Sequence, residues 1–366
     1  MLGFMRRKRA PPSEAEVKGK GKPRPSIEGG WSKVRTIATS SGTHVYEALS
    51  SNGVTVVVKH VSFPSLKYCV DQRWCDERKI ELQNEISILS RLQHERIVGY
   101  WGCYKTEETM DIWYEYIHGN SIKELYLERK FNRSNIPAYT RQILEVLEYL
   151  HKNNVIHRDL SCSHILLDDK GVVKLTGFHF AQQIEGNKAV PRDKGPGEWV
   201  RWAAPEIQIP NEPEVLSGPA SEVWRCLQIL IPEGSHCGPA SDIWSLGCAV
   251  LEMATASVPY SNMSMWDAVG EVFEGKLPML PEKLPNDCRD FIKTCLQFKP
   301  SNRPTASQLL CHPFIAHAKI SGTESGTGPL GTLEKTDIGV YADSLCFWVV
   351  FETLVGYDWL LVVRIF

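Results

Sequence analysis

Near Gly119 the spacing of apolar residues changes period, and that change divides the chain into two parts of different architecture. Before it, short β-branched runs alternate with polar punctuation: Val34 to Ile37, His44 to Leu49, and Val54-Thr55-Val56-Val57-Val58-Lys59-His60-Val61. Branched side chains pack well on a pleated, half-buried surface, so these runs predict antiparallel strands. One helical pattern interrupts them, with Leu82, Ile86, Leu89 and Leu92 three or four residues apart. Two more strands are predicted at Ile97–Trp101 and Ile112–Tyr116. Beyond Gly119 the apolar positions fall at helical spacing, in Ile136, Tyr139, Ile143, Val146, Leu147 and Leu150, and again across Asp242–Met253. The expected fold class is therefore α+β: a small antiparallel β-sheet lobe carrying one helix, joined to a larger helical lobe.

The flanks read differently. Residues 1–30 are rich in Pro, Gly and Lys and are expected to form a basic, disordered leader. Their local basic excess in Met5–Arg9 and Lys18–Lys22 fits either a solvated tail or a nuclear-localisation or anionic-surface patch. The net charge of the whole chain is only −2, so no nucleic-acid partner is expected. Eleven cysteines lie scattered without a C-x-x-C pair, and no secretory signal opens the sequence; free thiols in a reducing compartment, and a cytoplasmic location, follow. A flexible linker, 317–344, leads to an apolar tail, 345–366, interrupted by Glu352, Asp358 and Arg364. Each charge costs a few kcal/mol near a bilayer centre, which argues against a membrane span. A tail docked on the folded body and an abnormal terminus from splicing or a gene-model error are the readings that stand. The segment Gly218–Trp224 recurs as Gly238–Trp244, and the first copy is expected to lie in an insertion at about 207–228.

Two loops hold the chemistry. His157-Arg158-Asp159-Leu160 is followed by Ser161-Cys162-Ser163-His164 and then by Lys174-Leu175-Thr176-Gly177-Phe178-His179. Together with Lys59 in Val56-Val57-Val58-Lys59, Glu85, Ala204-Pro205-Glu206, Asp242-Ile243-Trp244-Ser245-Leu246-Gly247 and Arg303, they stand in the order found in protein kinases. The sequence resembles that family over residues 31–316. Leu92-Gln93-His94-Glu95-Arg96-Ile97-Val98, Glu115-Tyr116 with Gly119-Asn120-Ser121, and Tyr139-Thr140-Arg141-Gln142-Ile143-Leu144-Glu145 are similar to MEKK-type MAP kinase kinase kinases. The resemblance implies an N-lobe, 31–117, and a C-lobe, 118–316, with ATP between them and a hinge at Glu115, Tyr116 and Ile117. Tyr114 would be the gatekeeper, and core packing is the alternative role.

The resemblance also implies roles, and here the sequence departs from the pattern. Asp159 stands where the base accepts the substrate hydroxyl's proton, and Lys59 and Glu85 where an ion pair crosses the cleft. The phosphate-covering glycines are replaced by Ala38, Ser40 and Thr43, with Gly42 one place out of register; Val45, Val57 and Leu166 complete the expected nucleotide pocket. Of the two residues that hold magnesium in such kinases, the Asn is His164 and the Asp is Gly177. An imidazole suits zinc or copper better than hard, oxygen-seeking Mg²⁺, so no metal is assigned, magnesium binding is doubtful and ATP binding is expected to be weak. Ser161 stands where Ser/Thr kinases usually place a lysine. Between Phe178 and Glu206 there is no Ser, Thr or Tyr to phosphorylate, and Trp199 stands where a Thr is usual. His157, Arg158, Phe178, Glu206, Asp242 and Arg303 keep the structural positions. The expectation is a catalytically impaired scaffold or allosteric partner of other kinases or signalling proteins. The alternative is a weak Ser/Thr kinase with a protein substrate.

Overall fold

The β-branched runs pair into a five-stranded antiparallel sheet of order β1-β2-β3-β5-β4. Its strands are β1 Trp31–Ser40, β2 Thr43–Ser50, β3 Thr55–Ser62, β4 Tyr100–Lys105 and β5 Thr109–Glu115. The computed structural model describes residues 30–40, 42–63, 72–184, 198–208 and 238–316. The leader, nearly all of the predicted insertion, the first repeat copy, the linker and the apolar tail lie outside these residues. Helix α1, Gln72–Leu89, packs on the sheet through Leu82, which is buried with Val61, Phe63, Met110 and Ile112.

Two details differ from the expectation. The strand predicted at Ile97–Trp101 begins at Tyr100, because the preceding residues pair with the other lobe. Ile97 forms a parallel bridge to Leu175, and the Val98 N–H donates to the Leu175 carbonyl at 3.0 Å. Leu92 lies beyond the end of α1 and packs, half-buried, on the main core. At the β1–β2 turn Ser40 faces Thr43. Gly42 there takes φ +67°, a conformation that glycine adopts without steric cost, and its carbonyl accepts the Ser62 N–H at 2.8 Å.

The helical part is built on α3, Ile136–Lys152, and α4, Pro239–Thr255, with the shorter α2, Ile122–Leu127, before them. Every apolar residue predicted to face inward on α3 is buried. Helix α4 is buried continuously from Ser241 to Met253, as expected of a helix apolar on all sides. A Cβ at Gly247 would come within 2.7 Å of Cys295 Cβ, so this glycine lets α4 approach helix Asn286–Cys295. A three-stranded sheet is formed by β6 (Gly119–Ser121), β7 (Ile165–Asp168) and β8 (Val173–Leu175), the last two beyond the loop at 157–164. No helix among the described residues is long and apolar enough to cross a membrane.

One buried ion pair ties the far end of this lobe together. Arg303 donates to both carboxylate oxygens of Glu206, at 2.6 and 2.8 Å, with the two side chains 0% and 1% exposed. Arg303 also bonds the carbonyls of Gln297, Phe298 and Ala240, so its donors are satisfied as well as its charge. Arg303→Ala would strand the Glu206 carboxylate. We expect a loss of about 3–5 kcal/mol in urea denaturation, whereas truncating an exposed pair such as Lys152–Glu148 should change stability by about 0–1 kcal/mol.

Candidate functional site

A three-group contact joins β3, α1 and β5 of the smaller lobe. Lys59 extends from β3 and Glu85 from α1, and Lys59 Nζ lies 2.7 Å from Glu85 Oε2. The remaining oxygen, Oε1, accepts the Tyr114 hydroxyl at 2.7 Å. Burial, reinforced by the Glu85 carboxylate, pushes the Tyr114 phenol pKa up, so it stays a donor. Tyr114 is thus more than packing: it completes the hydrogen bonding of a carboxylate whose residue is only 4% exposed.

Below the cleft, Asp242 on α4 braces the loop that carries Asp159. Its Oδ1 accepts the Arg158 N–H at 2.9 Å, and its Oδ2 accepts the His157 N–H at 2.9 Å and the His151 Nε2–H at 2.8 Å. Burial would raise the Asp242 pKa, but the hydrogen bonds and charge of His151, with further help from His157 and Arg158, hold it below the usual carboxylate range. Arg158 sits at φ +64°, a strained region for a long side chain, and its N–H bond to Asp242 Oδ1 holds it there. The His157 ring donates to the Thr176 carbonyl at 2.8 Å and meets Phe178 edge-on at 4.8 Å. Burial lowers the His157 pKa, so the ring is neutral. Leu89 and Phe178 are buried in the main core, with Tyr100 packed against it. The Arg158 guanidinium is bound by Gln182, while its Nε and Nη2 have no hydrogen-bond partner among the described residues.

Gly177 and His164 meet in one volume. Gly177 takes φ +84°, and a Cβ built on it would lie 2.5 Å from His164 Cγ, 2.7 Å from Cδ2 and 2.9 Å from Nδ1. The imidazole therefore fills the space that any side chain at 177 would need. His164 is held there by its Nδ1–H, which donates to the Asp159 carbonyl at 2.8 Å, and by main-chain bonds from His164 N to Ser161 O and from Thr176 N to His164 O. On the other side of Asp159 stands His179, whose Nε2 is 3.3 Å from Asp159 Oδ2. Sequence reasoning missed His179, although an imidazole two residues after Gly177 was legible as a donor beside an already altered site.

The expected nucleotide positions are spread around this centre. Ala38 lies opposite Val45, and Ser40 opposite Thr43. Val57 pairs with Tyr114, and Leu166 lies between Ser121 and Lys174 in the small sheet. Glu115, at the end of β5, turns its carboxylate to Lys174 Nζ, 3.0 Å away, and to the Gly99 N–H. Tyr116 stacks edge-on with His118 at 4.9 Å, and Ile117 is half-buried. Arg35 on β1 is held by Glu47 on β2 at 2.6 Å. Ser161 is buried at 6% exposure. Trp199 packs against the main core from a short turn at Glu198–Arg201.

A second residue that the sequence reading passed over is Glu252, a carboxylate inside the apolar run of α4. It accepts from Tyr126, Trp202 and the Cys162 N–H at 2.9, 2.8 and 3.2 Å. Burial raises its pKa despite these donors. Its position in an otherwise apolar helix was the available signal.

The protein kinase domain model matches residues 31–315. The chain belongs to the protein kinase family. It is 34% identical to mitogen-activated protein kinase kinase kinase 1a of Physcomitrium patens, over 83% of this chain and 36% of that protein. It is 35% identical to mitogen-activated protein kinase kinase kinase 9 of Arabidopsis thaliana, over 83% and 36% of the two chains. With YODA, a mitogen-activated protein kinase kinase kinase of Arabidopsis thaliana, identity is 36% over 84% and 33%. These matches place the kinase domain in the MEKK-type branch; the chain spans about a third of the length of these curated relatives. A protein kinase domain in general uses ATP and magnesium.

The packing of His164 against Gly177 makes a prediction about this kinase domain. Asp tolerates left-handed φ better than most residues, so the imidazole, more than the backbone, opposes a carboxylate at 177. Gly177→Asp alone should lose about 1–3 kcal/mol, the range for overpacking. Adding His164→Asn should return most of it. Urea denaturation of the four proteins in a double-mutant cycle reads the coupling. Additive effects would show that the two side chains do not compete for space.

Proposed function

We propose that this kinase domain is a pseudokinase that serves as a scaffold or allosteric partner of other kinases or signalling proteins in the cytoplasm. The observation that carries the reading is the imidazole of His164 in the volume beside Gly177. Magnesium takes oxygen ligands near-octahedrally at about 2.0–2.1 Å. Gly177 offers no side-chain oxygen, and the groups gathered at this point are one carboxylate and two imidazoles. This donor set does not fit magnesium. Phosphoryl transfer depends mainly on positioning and charge neutralisation. Losing both metal ligands is expected to lower a family turnover of about 1–100 s⁻¹ by about 10³–10⁵.

A second reading, a weak ATP-dependent Ser/Thr kinase acting on a protein substrate, is favoured by the formed Lys59–Glu85 pair and by Asp159. Both readings keep an assembled two-lobed body, and neither calls for a nucleic-acid or membrane partner.

Thermal-shift titration with ATP and an assay of phosphate transfer separate them. Under the pseudokinase reading the shift with ATP is small and the same with or without Mg²⁺, and any transfer survives Asp159→Asn. A magnesium-dependent stabilisation of about 2–3 kcal/mol, as at about 100 Kd of ligand, overturns it. So does turnover near about 1 s⁻¹ that Asp159→Asn abolishes.

The reversion Gly177→Asp with His164→Asn tests the cause of the loss. We expect magnesium-dependent activity at least about tenfold above the unmodified chain, with each single change recovering less because ligands of one site act as a unit. An inert double variant that binds ATP more tightly would place the barrier at Ser161, Trp199 and the β1–β2 turn instead.

A further inference from the structure

We infer that Asp159, His164 and His179 form a binding site for a divalent transition ion, zinc by preference, at the base of the cleft. One donor atom from each of the three side chains lies within 4.8 Å of the others. Asp159 Oδ2 is the shared corner, 3.4 Å from His164 Nδ1 and 3.3 Å from His179 Nε2. A tetrahedral ion with ligand bonds of about 2.1 Å separates its ligand atoms by about 3.4 Å. Two edges of such a tetrahedron are therefore already drawn.

The chemistry of the donors selects the ion. Two imidazoles and one carboxylate form a borderline-soft set, favoured by first-row transition ions over Mg²⁺ or Ca²⁺. Zinc imposes no geometry through its d electrons and accepts three protein ligands with a fourth position left for water. Without metal, the two imidazoles flank a single carboxylate that is 11% exposed.

The three side chains stand on anchored backbone, which a metal site needs. Asp159 follows directly on the two amides that Asp242 holds. His164 is fixed by its main-chain bonds to Ser161 and Thr176. His179 lies in the short turn Phe178–Phe180, which is pinned by buried Phe178, and its ring packs at 4.0 Å on Phe180. In the metal-free molecule the His164 Nδ1–H donates to the Asp159 carbonyl. Taking up the ion at Nδ1 moves that proton to Nε2 and exchanges the hydrogen bond for a metal bond. The bound ion would join the 157–164 loop to the 177–179 turn and occupy the carboxylate that a transfer reaction would need as base.

The inference stands apart from whether the chain transfers phosphate, because its readout is metal binding. The full chain, stripped of metal, is titrated with Zn²⁺ against a chromogenic chelator and separately with Co²⁺, followed by visible absorption. We expect a zinc site that excess Mg²⁺ does not displace. His179→Ala and Asp159→Asn should each weaken it at least about tenfold, as loss of even a supporting group can, and both should abolish the cobalt bands belonging to it. His179 is 28% exposed at the side chain, so its truncation should leave the fold intact, which the unliganded melting temperature checks. His164→Ala serves as the third variant if it folds. Zinc affinity and cobalt spectra equal in the parent chain and in the folded His179→Ala protein would place any bound metal elsewhere and overturn the inference. So would failure of the parent chain to bind zinc.

Discussion

Asp242 is a fully buried carboxylate whose two oxygens collect three N–H donors from two separate elements. Left unpaired in that position it would cost several kcal/mol; paired, it sets the backbone of His157 and Arg158 and hence where Asp159 stands. The histidine ring at 157 then bonds the Thr176 carbonyl and meets Phe178, so the second loop is registered against the first. None of these contacts involves ATP or a metal ion. On the proposed reading, this is how the kinase body keeps its assembled shape with His164 and Gly177 at the two magnesium positions.

His164 and Gly177 share one volume. With a Cβ at 177, the imidazole of His164 would collide with it at under 3 Å; with glycine there, the ring fills the space and finds an acceptor in the Asp159 carbonyl. A filled volume and a satisfied donor are both worth keeping in a packed interior. On the proposed reading, the carboxylate missing at 177 is thereby compensated as packing, although it is uncompensated as chemistry. Gly177 at φ +84° also lets the following turn place Phe178 in the core and His179 beside Asp159.

The fold was largely legible because the apolar periods of 2 and 3.6 residues are strong signals over long runs, and α3 buries the inward-facing residues its spacing predicted. Boundaries were less legible where backbone groups leave their own element. Ile97 and Val98 read as strand by composition, yet their hydrogen-bonding goes to Leu175 in the other lobe, a choice that tertiary pairing makes and local sequence does not encode. The residue types at 164 and 177 were plain in the sequence, but their shared volume was not, since it depends on a loop closure across thirteen positions. His179 and Glu252 were passed over for a related reason. Each acts through partners distant in sequence, Asp159 for one and Tyr126, Cys162 and Trp202 for the other.

The state of Lys59 follows from the same logic. Its ammonium and the Tyr114 hydroxyl share the two oxygens of Glu85, so the carboxylate is charge-compensated and hydrogen-bonded with no ligand present. An active kinase needs this pair in place, so the 2.7 Å contact of the 13%-exposed Lys59 orients the ammonium for phosphate and does not oppose it. A phosphate in the cleft would, on the proposed reading, lack a magnesium ion to share its charge, and it would meet Ala38, Ser40 and Thr43 where glycines would let amides approach. Weak nucleotide binding is, on that reading, the consequence of those positions together with His164 and Gly177, and not of the Lys59–Glu85 pair. Glu85 thus ties β3, α1 and β5 of the smaller lobe together and sets where the Lys59 ammonium stands.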